Sequence, residues 1–440
     1  MGLKMKKLYI LIAYLVLASL NFAGSAQVHR LPTVKEVDCN YSQEVASVDD
    51  MAWTWWFGPQ VWSVNDYKDK LWWGYTSSRG YTGIAEYDAT DGTFRKMHLK
   101  KCTWNDDHNN SVVVLLPDRR VACIYTYGHD KSNQVYVRIS TSYESIDEFD
   151  DAIPIEFAGT TTYIQYFFMN GRHYIFTRTK QDTYKWAWTC SEDLVNWTEP
   201  AEFITATNKR YYIKLQRVTD AEGIIRIIAY GHPTQSKDCR IRMGFINFND
   251  GKVYNKDGKT VVTQLGNCFD YTELDVLISN EEGKVLRLFD VAATPMDECA
   301  VALASFTKDV KTDSRYLIYK NGSLQDLTAG GLPFWNYSVY LGGISFLDKD
   351  RVALCRNDGQ PDYGTDFVEL WRFKGKKWKK EKCLHSEKVG TDIIRNLRPI
   401  VDYNGRYLLW QRGCYDHRKK GHTFTLEAKI YDLEKGKLIR

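Results

Sequence analysis

Seven times along this chain, a group of short apolar strands bounded by Gly, Asn or Asp recurs with a period of roughly 50 to 60 residues. The units centre on Val61–His98, Ser111–Phe157, Tyr163–Ile204, Tyr212–Val262, Val285–Leu327, Val339–Leu384 and Ile394–Leu433. Several share one layout: a strand, a turn such as Asn170-Gly171 or Asn404-Gly405, then an apolar second strand such as His173–Thr177 or Tyr407–Trp410. A third strand follows with alternating side chains, as in Gln134-Val135-Tyr136-Val137-Arg138. Asn-Gly suits these hairpins because the tightest turns demand positive φ at both central positions. No such unit can cover its own apolar faces, but stacking it against copies of itself can. The expectation is an all-β fold, a single seven-bladed β-propeller of four-stranded antiparallel blades. A pair of β-sandwiches would leave the near-constant period unexplained.

The first 26 residues have a different character. Lys4, Lys6 and Lys7 precede an apolar stretch from Leu8 to Leu20, and Gly24-Ser25-Ala26 supplies the small residues a signal peptidase needs. This predicts a signal peptide over 1–26, a propeller over 27–440, and a secreted or periplasmic protein. Removing three lysines lowers the formal charge from +4 to +1, which is not the footprint of a nucleic-acid binder. No later run reaches the roughly 20 apolar residues of a membrane helix, so the expected partner is neither nucleic acid nor membrane, and the protein is expected to be a monomer. Ten cysteines are spread from Cys39 to Cys414 with no CxxC pair. Most read as buried fillers of strands, Cys123 and Cys355 among them, with room for one or two disulfides.

Within the second unit, Trp104-Asn105-Asp106-Asp107-His108-Asn109-Asn110 is followed by an apolar run, a Pro117-Asp118 turn, a second run, and Tyr125-Thr126-Tyr127-Gly128-His129. A tight antiparallel pair returns the chain to the edge where it began, so His108 and His129 should lie within reach of one ligand. Polar and aromatic residues stand at equivalent places in other units. Thr162-Tyr163 opens the third, with Arg178 ending its second strand. Arg210-Tyr211-Tyr212-Ile213-Lys214 opens the fourth, which runs to Gly231-His232-Pro233. Tyr340-Leu341-Gly342-Gly343 opens the sixth, with Arg356 after its second strand, and Arg398-Pro399 opens the seventh. Together they would form one rim around a central funnel. Ser191-Glu192-Asp193-Leu194-Val195-Asn196-Trp197 reads instead as a braced turn, with Trp197 packed between blades.

This series, with Asp107-His108-Asn109, Gly128-His129, Thr162-Tyr163, Arg178, His232-Pro233, Gly342-Gly343 and Arg398-Pro399, resembles the seven-bladed propeller polysaccharide lyases typified by ulvan lyases, and their relatives acting on rhamnose-capped glucuronate. The resemblance runs from about Met51 to the C-terminus. It implies a catalytic set of His108, His129, Tyr163 and Arg178. Asn109, Tyr166, Arg210, Tyr211, Lys214, His232, Arg356 and Arg398 are the implied substrate-binding residues. Where the family has Thr-Tyr-Pro this chain has Thr162-Tyr163-Ile164, which leaves Tyr166 as a substitute for Tyr163.

These residue types suit β-elimination at C4 of a uronate in an acidic, rhamnose- and glucuronate-containing polysaccharide. A neutral histidine, His108 in the first instance, removes the C5 proton. Arg178 grips the carboxylate and stabilises the enolate-like charge, and Tyr163 or the second histidine protonates O4. No redox cofactor is required. A structural zinc or calcium ion could brace the propeller, with His232 and Cys239 contributing. Two other functions fit the same propeller. One is a glycoside hydrolase, either resembling an α-L-rhamnosidase whose histidine this chain replaces near Gln43, or using two carboxylates from Asp106, Asp107, Asp290 and Asp366. The other is a non-catalytic sugar-binding propeller.

Overall fold

Each of the predicted units forms one sheet, antiparallel throughout except for a parallel outer pair in the third, and the seven sheets stand in a ring. The computed structural model describes residues 43–44, 48–64, 69–207, 210–232, 238–307, 315–328, 342–357, 364–389, 397–416 and 423–439. The predicted signal peptide, Cys39, Pro233, residues 339–341 of the sixth unit and residues 394–396 of the seventh lie outside them. The innermost strands of the seven blades are Val61–Val64, Val112–Leu115, Thr160–Met169, Tyr211–Arg217, Lys284–Val291, Gly343–Asp348 and Pro399–Val401. Further strands follow outward in sequence order, except that in the first blade Gln43–Glu44, from before the inner strand, forms the outer edge. Three blades exceed the four-strand expectation: Gln43–Glu44 adds an outer strand to the first, Phe269–Asp270 pairs with the outer strand of the third, and in the fourth Val261–Gln264 extends the edge while Asp275–Ile278 returns to pair with Ile241–Asn247. Among the described residues the only helices are single 3-10 turns at Asp107–Asn109 and Tyr271–Glu273, and no helix is long and apolar enough to cross a membrane.

A blade is packed on both faces by its neighbours, so its inner strands do not alternate between core and solvent as a one-sided sheet would. Lys70–Thr76 is buried at every position, whereas the fourth strand Ser323–Asp326 has no buried residue. Six of the nine described cysteines, Cys123 and Cys355 included, are buried, and none of the nine forms a disulfide. Trp197 is buried, donating from Nε1 to Leu194 O, while Asp193 braces its turn by accepting from Val195 N and Asn196 N. The ring closes by pairing across its ends: Met51 N donates to Leu426 O, Ala428 N to Val48 O, and Arg406 grips Asp69 with two hydrogen bonds.

One segment crosses the channel. Trp53 O accepts from Arg398 in the seventh blade, Trp55 O from Lys214 Nζ in the fourth (2.7 Å), and Pro59 O from Val113 N in the second. Gly58 N donates to Ile164 O in the third blade, and Tyr166 N to Gly58 O. The backbone of this plug is therefore satisfied by four blades, and its rings fill the axis: Trp53, Trp55, Trp56 and Phe57 are all buried. Truncating one such indole to Ala costs about 3–5 kcal/mol in a packed core. The plug divides the channel into two mouths, and the inner strands all start at the same one.

Candidate active site

The histidines sit at the starting mouth, on a turn that the sequence builds from its own side chains. Asp106 caps the Asp107–Asn109 turn, accepting from His108 N at 3.0 Å. Asn109 Oδ1 accepts from His129 N at 2.8 Å, which ties this turn to the loop after the second strand of the same blade. Gly74 of the first blade approaches so closely that a Cβ there would lie 1.9 Å from Ser111 O, so only glycine lets the turn settle against its neighbour. The imidazoles of His108 and His129 stack with centroids 4.2 Å apart and planes 7° from parallel.

Both imidazoles lean on one carboxylate. His108 Nδ1 meets Asp106 Oδ1, and His129 Nδ1 lies 2.7 Å from Asp106 Oδ2. His108 Nδ1 also lies 2.6 Å from Asp107 Oδ1, and Asp107 Oδ2 takes a hydrogen bond from Arg398. Burial opposes charge on His108, but Asp106 and Asp107 outweigh it and push its pKa up to about 10. Burial and the charge of His108 then hold His129 below its ordinary value, against the pull of Asp106. Of the two rings, His108 is therefore the one its carboxylates favour charged, and His129 the one held toward its neutral form. With its Nδ1–H given to Asp106, His129 keeps the lone pair on Nε2, and that atom is buried without a hydrogen bond.

Tyr163 and Arg178 close the site from the third blade. Tyr163 has φ +61, and the ladder shifts register between Thr162 and Gln165. A bulky residue in the left-handed region costs about 1–3 kcal/mol, and such strain collects where a side chain must be re-aimed. Here the bulge turns the ring toward His108 (centroids 5.2 Å apart) and His129 (6.1 Å). The Arg178 guanidinium lies 4.5 Å from the Tyr163 centroid and 4.7 Å from that of Tyr184, and the side chain is fully buried. Its Nη2 donates to both oxygens of Asp130, whose carboxyl is raised by burial but carried below its usual range by Arg178.

Other predicted residues divide between this cluster and the rest of the molecule. Arg210 donates to Tyr184 OH at 2.6 Å and lies 3.8 Å from Asp130. His232 stands beside Tyr212, and burial with Arg287, Arg210 and Arg178 drops its pKa to about 3. Asn109 and Arg398 are buried supports of the histidine turn. Tyr211 faces away, stacked on Tyr271 with its hydroxyl on Ile204 O, and Arg356 is paired with Glu369 in the sixth blade. Tyr166 donates or accepts at His173 Nδ1, and with Lys214 it lines a cavity of about 500 Å³ in the opposite mouth, beyond the plug. Tyr163, not Tyr166, is thus the tyrosine beside the histidines. Asp290 lies in that opposite cavity with Lys214, and Asp366 accepts from Asn357. Gln43 lies on the outermost strand of the first blade, paired with Lys96, and not at the channel.

Sequence reasoning missed Asp130, Tyr184 and Trp56. Trp56 stacks on Tyr212 at 4.4 Å and reaches His108 only because the plug crosses the channel. Asp130 had a visible signal, being the residue after His129. Among the described residues, the one group of three or more side chains with metal-ligand atoms within 4.8 Å of one another is Asp106, His108 and His129. His232 and Cys239 belong to no such group there.

No protein-family model matches the chain, and no curated protein matches it in sequence. Solved structures do match in shape. A PL25 ulvan lyase superposes with TM-score 0.64 at 12% identity, covering 90% of this chain and 99% of that one. The chain shares the fold of an ulvan lyase. The same enzyme bound to -[GlcA(1-4)Rha3S]- gives a TM-score of 0.63 at 12% identity over the same shares. The polysaccharide lyase Uly1 gives 0.53 at 11% identity, covering 90% of this chain and 99% of that one.

Proposed function

We propose that this protein is an exported polysaccharide lyase that cleaves the bond between L-rhamnose and O4 of glucuronate by β-elimination, leaving a 4,5-unsaturated uronate. One observation carries the reading: a neutral histidine oriented through Nδ1 by a buried carboxylate presents an Nε2 without a hydrogen bond, 3.6 Å from the Asp130 carboxylate that Arg178 and Arg210 flank. His129 would remove the C5 proton through Nε2, as a base near its working pH should. Arg178 and Arg210 would hold the uronate carboxylate, whose charge grows as C5 loses its proton. The Tyr163 hydroxyl would protonate O4 as the bond to rhamnose breaks, and the positive charge on His108 would stabilise the enolate-like intermediate. The steps need no redox cofactor. A structural zinc or calcium ion at His232 and Cys239 would need further ligands.

Elimination is favoured over hydrolysis because a two-carboxylate hydrolase needs a free pair, and at this mouth Asp106 is committed to two histidines and Asp107 to His108 and Arg398, which leaves Asp130 alone. It is favoured over pure sugar binding because a shared carboxylate between two rings does nothing for stacking a sugar. The ulvan lyase neighbour bound to -[GlcA(1-4)Rha3S]- supports the linkage. The test is incubation with glucuronate-containing glycans while recording absorbance near 235 nm, where an unsaturated uronate absorbs. Rhamnose released beside a saturated glucuronate would refute the proposal in favour of a hydrolase, and binding without cleavage in favour of a sugar-binding propeller.

A further inference from the structure

Asp130 puts a carboxylate where the proposed reaction needs the carboxylate of a substrate. It lies 3.1 and 3.2 Å from Arg178 Nη2, 3.8 Å from Arg210 and 3.6 Å from His129 Nε2. The two guanidiniums are underused by this partner. Arg178 Nε and Nη1 and Arg210 Nε are buried and make no hydrogen bond among the described residues. A guanidinium offers five donors in a fixed fork suited to a carboxylate gripped by two nitrogens, yet Asp130 engages Arg178 through Nη2 alone. Asp130 reaches this position with φ +52, in a loop whose turn is closed by Lys131 N and Ser132 N donating to Gly128 O. Its side chain and those of His129 and Arg210 are the partly exposed members of the group, so a ligand entering this mouth meets them before the buried Arg178.

We propose that Asp130 is an internal stand-in for the uronate carboxylate, holding the Arg178–Arg210 clamp in the empty site and displaced from it by the carboxylate of the bound sugar. The inference rests on the lyase reading and extends it to specificity. A neutral hexose carries only a hydroxymethyl group at C5 and has no charge with which to exchange for Asp130, whereas a uronate replaces one carboxylate with another. Selection thus comes from a competitor as well as from an attraction. The geometry also fits the chemistry. C5 of a uronate is bonded to the carboxylate carbon, so a carboxylate seated where Asp130 now lies brings the C5 proton to His129 Nε2.

The test uses Asp130→Asn and Asp130→Gly, since Asn and Gly are the residues that accept a left-handed backbone most readily. Calorimetry with glucuronate should give binding at least about tenfold tighter in both variants than in wild type, because the fraction of sites blocked by Asp130 no longer taxes affinity. KM on a glucuronate-containing glycan should fall with it, and kcat/KM should rise. Glucuronate affinity that is unchanged or weaker in a folded variant overturns the proposal, because a purely structural ion pair would act that way. A crystal of wild-type protein soaked in glucuronate gives an answer independent of variant folding: the Asp130 carboxylate should have left Arg178, and a bound uronate beside an unmoved Asp130–Arg178 pair overturns the proposal. If wild type yields no unsaturated product while the variants gain glucuronate affinity, the lyase reading fails and the displacement stands. If wild type cleaves and neither variant gains affinity, the displacement fails and the lyase reading stands.

Discussion

Replacing Asp106 by Asn isolates what the shared carboxylate does for the two histidines. Asn keeps the shape of Asp and one acceptor oxygen, which can still cap the turn by accepting from His108 N, now 3.0 Å from Oδ1. With that oxygen committed, the amide nitrogen faces His129 Nδ1, which lies 2.7 Å from the present Oδ2. An amide N–H needs an acceptor there, so His129 would carry its proton on Nε2 and lose the lone pair that the proposed mechanism uses. His108 would keep Asp107 at 2.6 Å and so remain charged. Substituting the orienting Asp of a catalytic histidine by Asn, with geometry otherwise intact, lowers kcat by about 10⁴-fold in the best-studied case. For Asp106→Asn we expect a loss of about 10³–10⁴-fold, or about 4–5.5 kcal/mol of barrier. The assay is the initial rate of unsaturated-uronate formation under saturating glycan, with a thermal unfolding curve to establish that the variant is folded. His129→Ala should cost as much, and the double variant little more than either, since the two residues act as one unit. A folded Asp106→Asn protein within tenfold of the wild-type rate would refute the tautomer argument.

Tyr163→Phe keeps the ring that packs against Trp56, Tyr212 and Arg178 but removes the proton donor, so kcat should fall by about 10²–10⁴-fold with little change in unfolding midpoint. Arg178→Lys retains a charge but loses the planar fork stacked on Tyr163 and Tyr184; on glucuronate-containing glycan, kcat/KM should fall at least about a hundredfold, and a smaller loss would count against carboxylate binding at this residue. His108 is raised from 6.5 to about 10 on folding, so its contribution to stability is complete below pH 6.5 and disappears as pH climbs through about 10. Chemical denaturation should therefore show stability falling between neutral pH and pH 10, with the fall reduced in His108→Gln. The rate should show its acid limb below pH 6.5, because burial and the charge of His108 hold His129 below that value and only its neutral form is a base; an acid limb above pH 6.5 would contradict that assignment.

What the sequence disclosed follows from which interactions are local. Strand period, Asn-Gly turns and blade number depend on neighbours along the chain, and Ser111 to Ile124 specified a hairpin whose ends had to meet, which brings His108 and His129 together. Choosing between Tyr163 and Tyr166 needed more than spacing. Regular strand alternation puts residues three apart on opposite faces, but the bulge between them and the positive φ at Tyr163 determine which ring meets the histidines. Lys214 was misplaced for a related reason. It follows Tyr212 by two residues and shares its face of the strand, yet the plug passes between them: Trp56 lies against Tyr212, and Lys214 Nζ donates to Trp55 O from the other side. The plug precedes the inner strand of the first blade in sequence, and nothing in its Trp-rich composition says that it runs through the axis of a ring closed some 370 residues later, where Met51 N meets Leu426 O. The charge states were hidden for a different reason. Identical imidazoles acquire opposite protonation because Asp107, held by Arg398 from the last blade, lies 2.6 Å from His108 Nδ1, whereas the second carboxylate near His129, Asp130 at 3.6 Å, is already engaged by Arg178 and the charge of His108 opposes a second one beside it. That asymmetry couples the second blade to the seventh, because the carboxylate that holds His108 charged is itself held by a guanidinium from the far end of the chain.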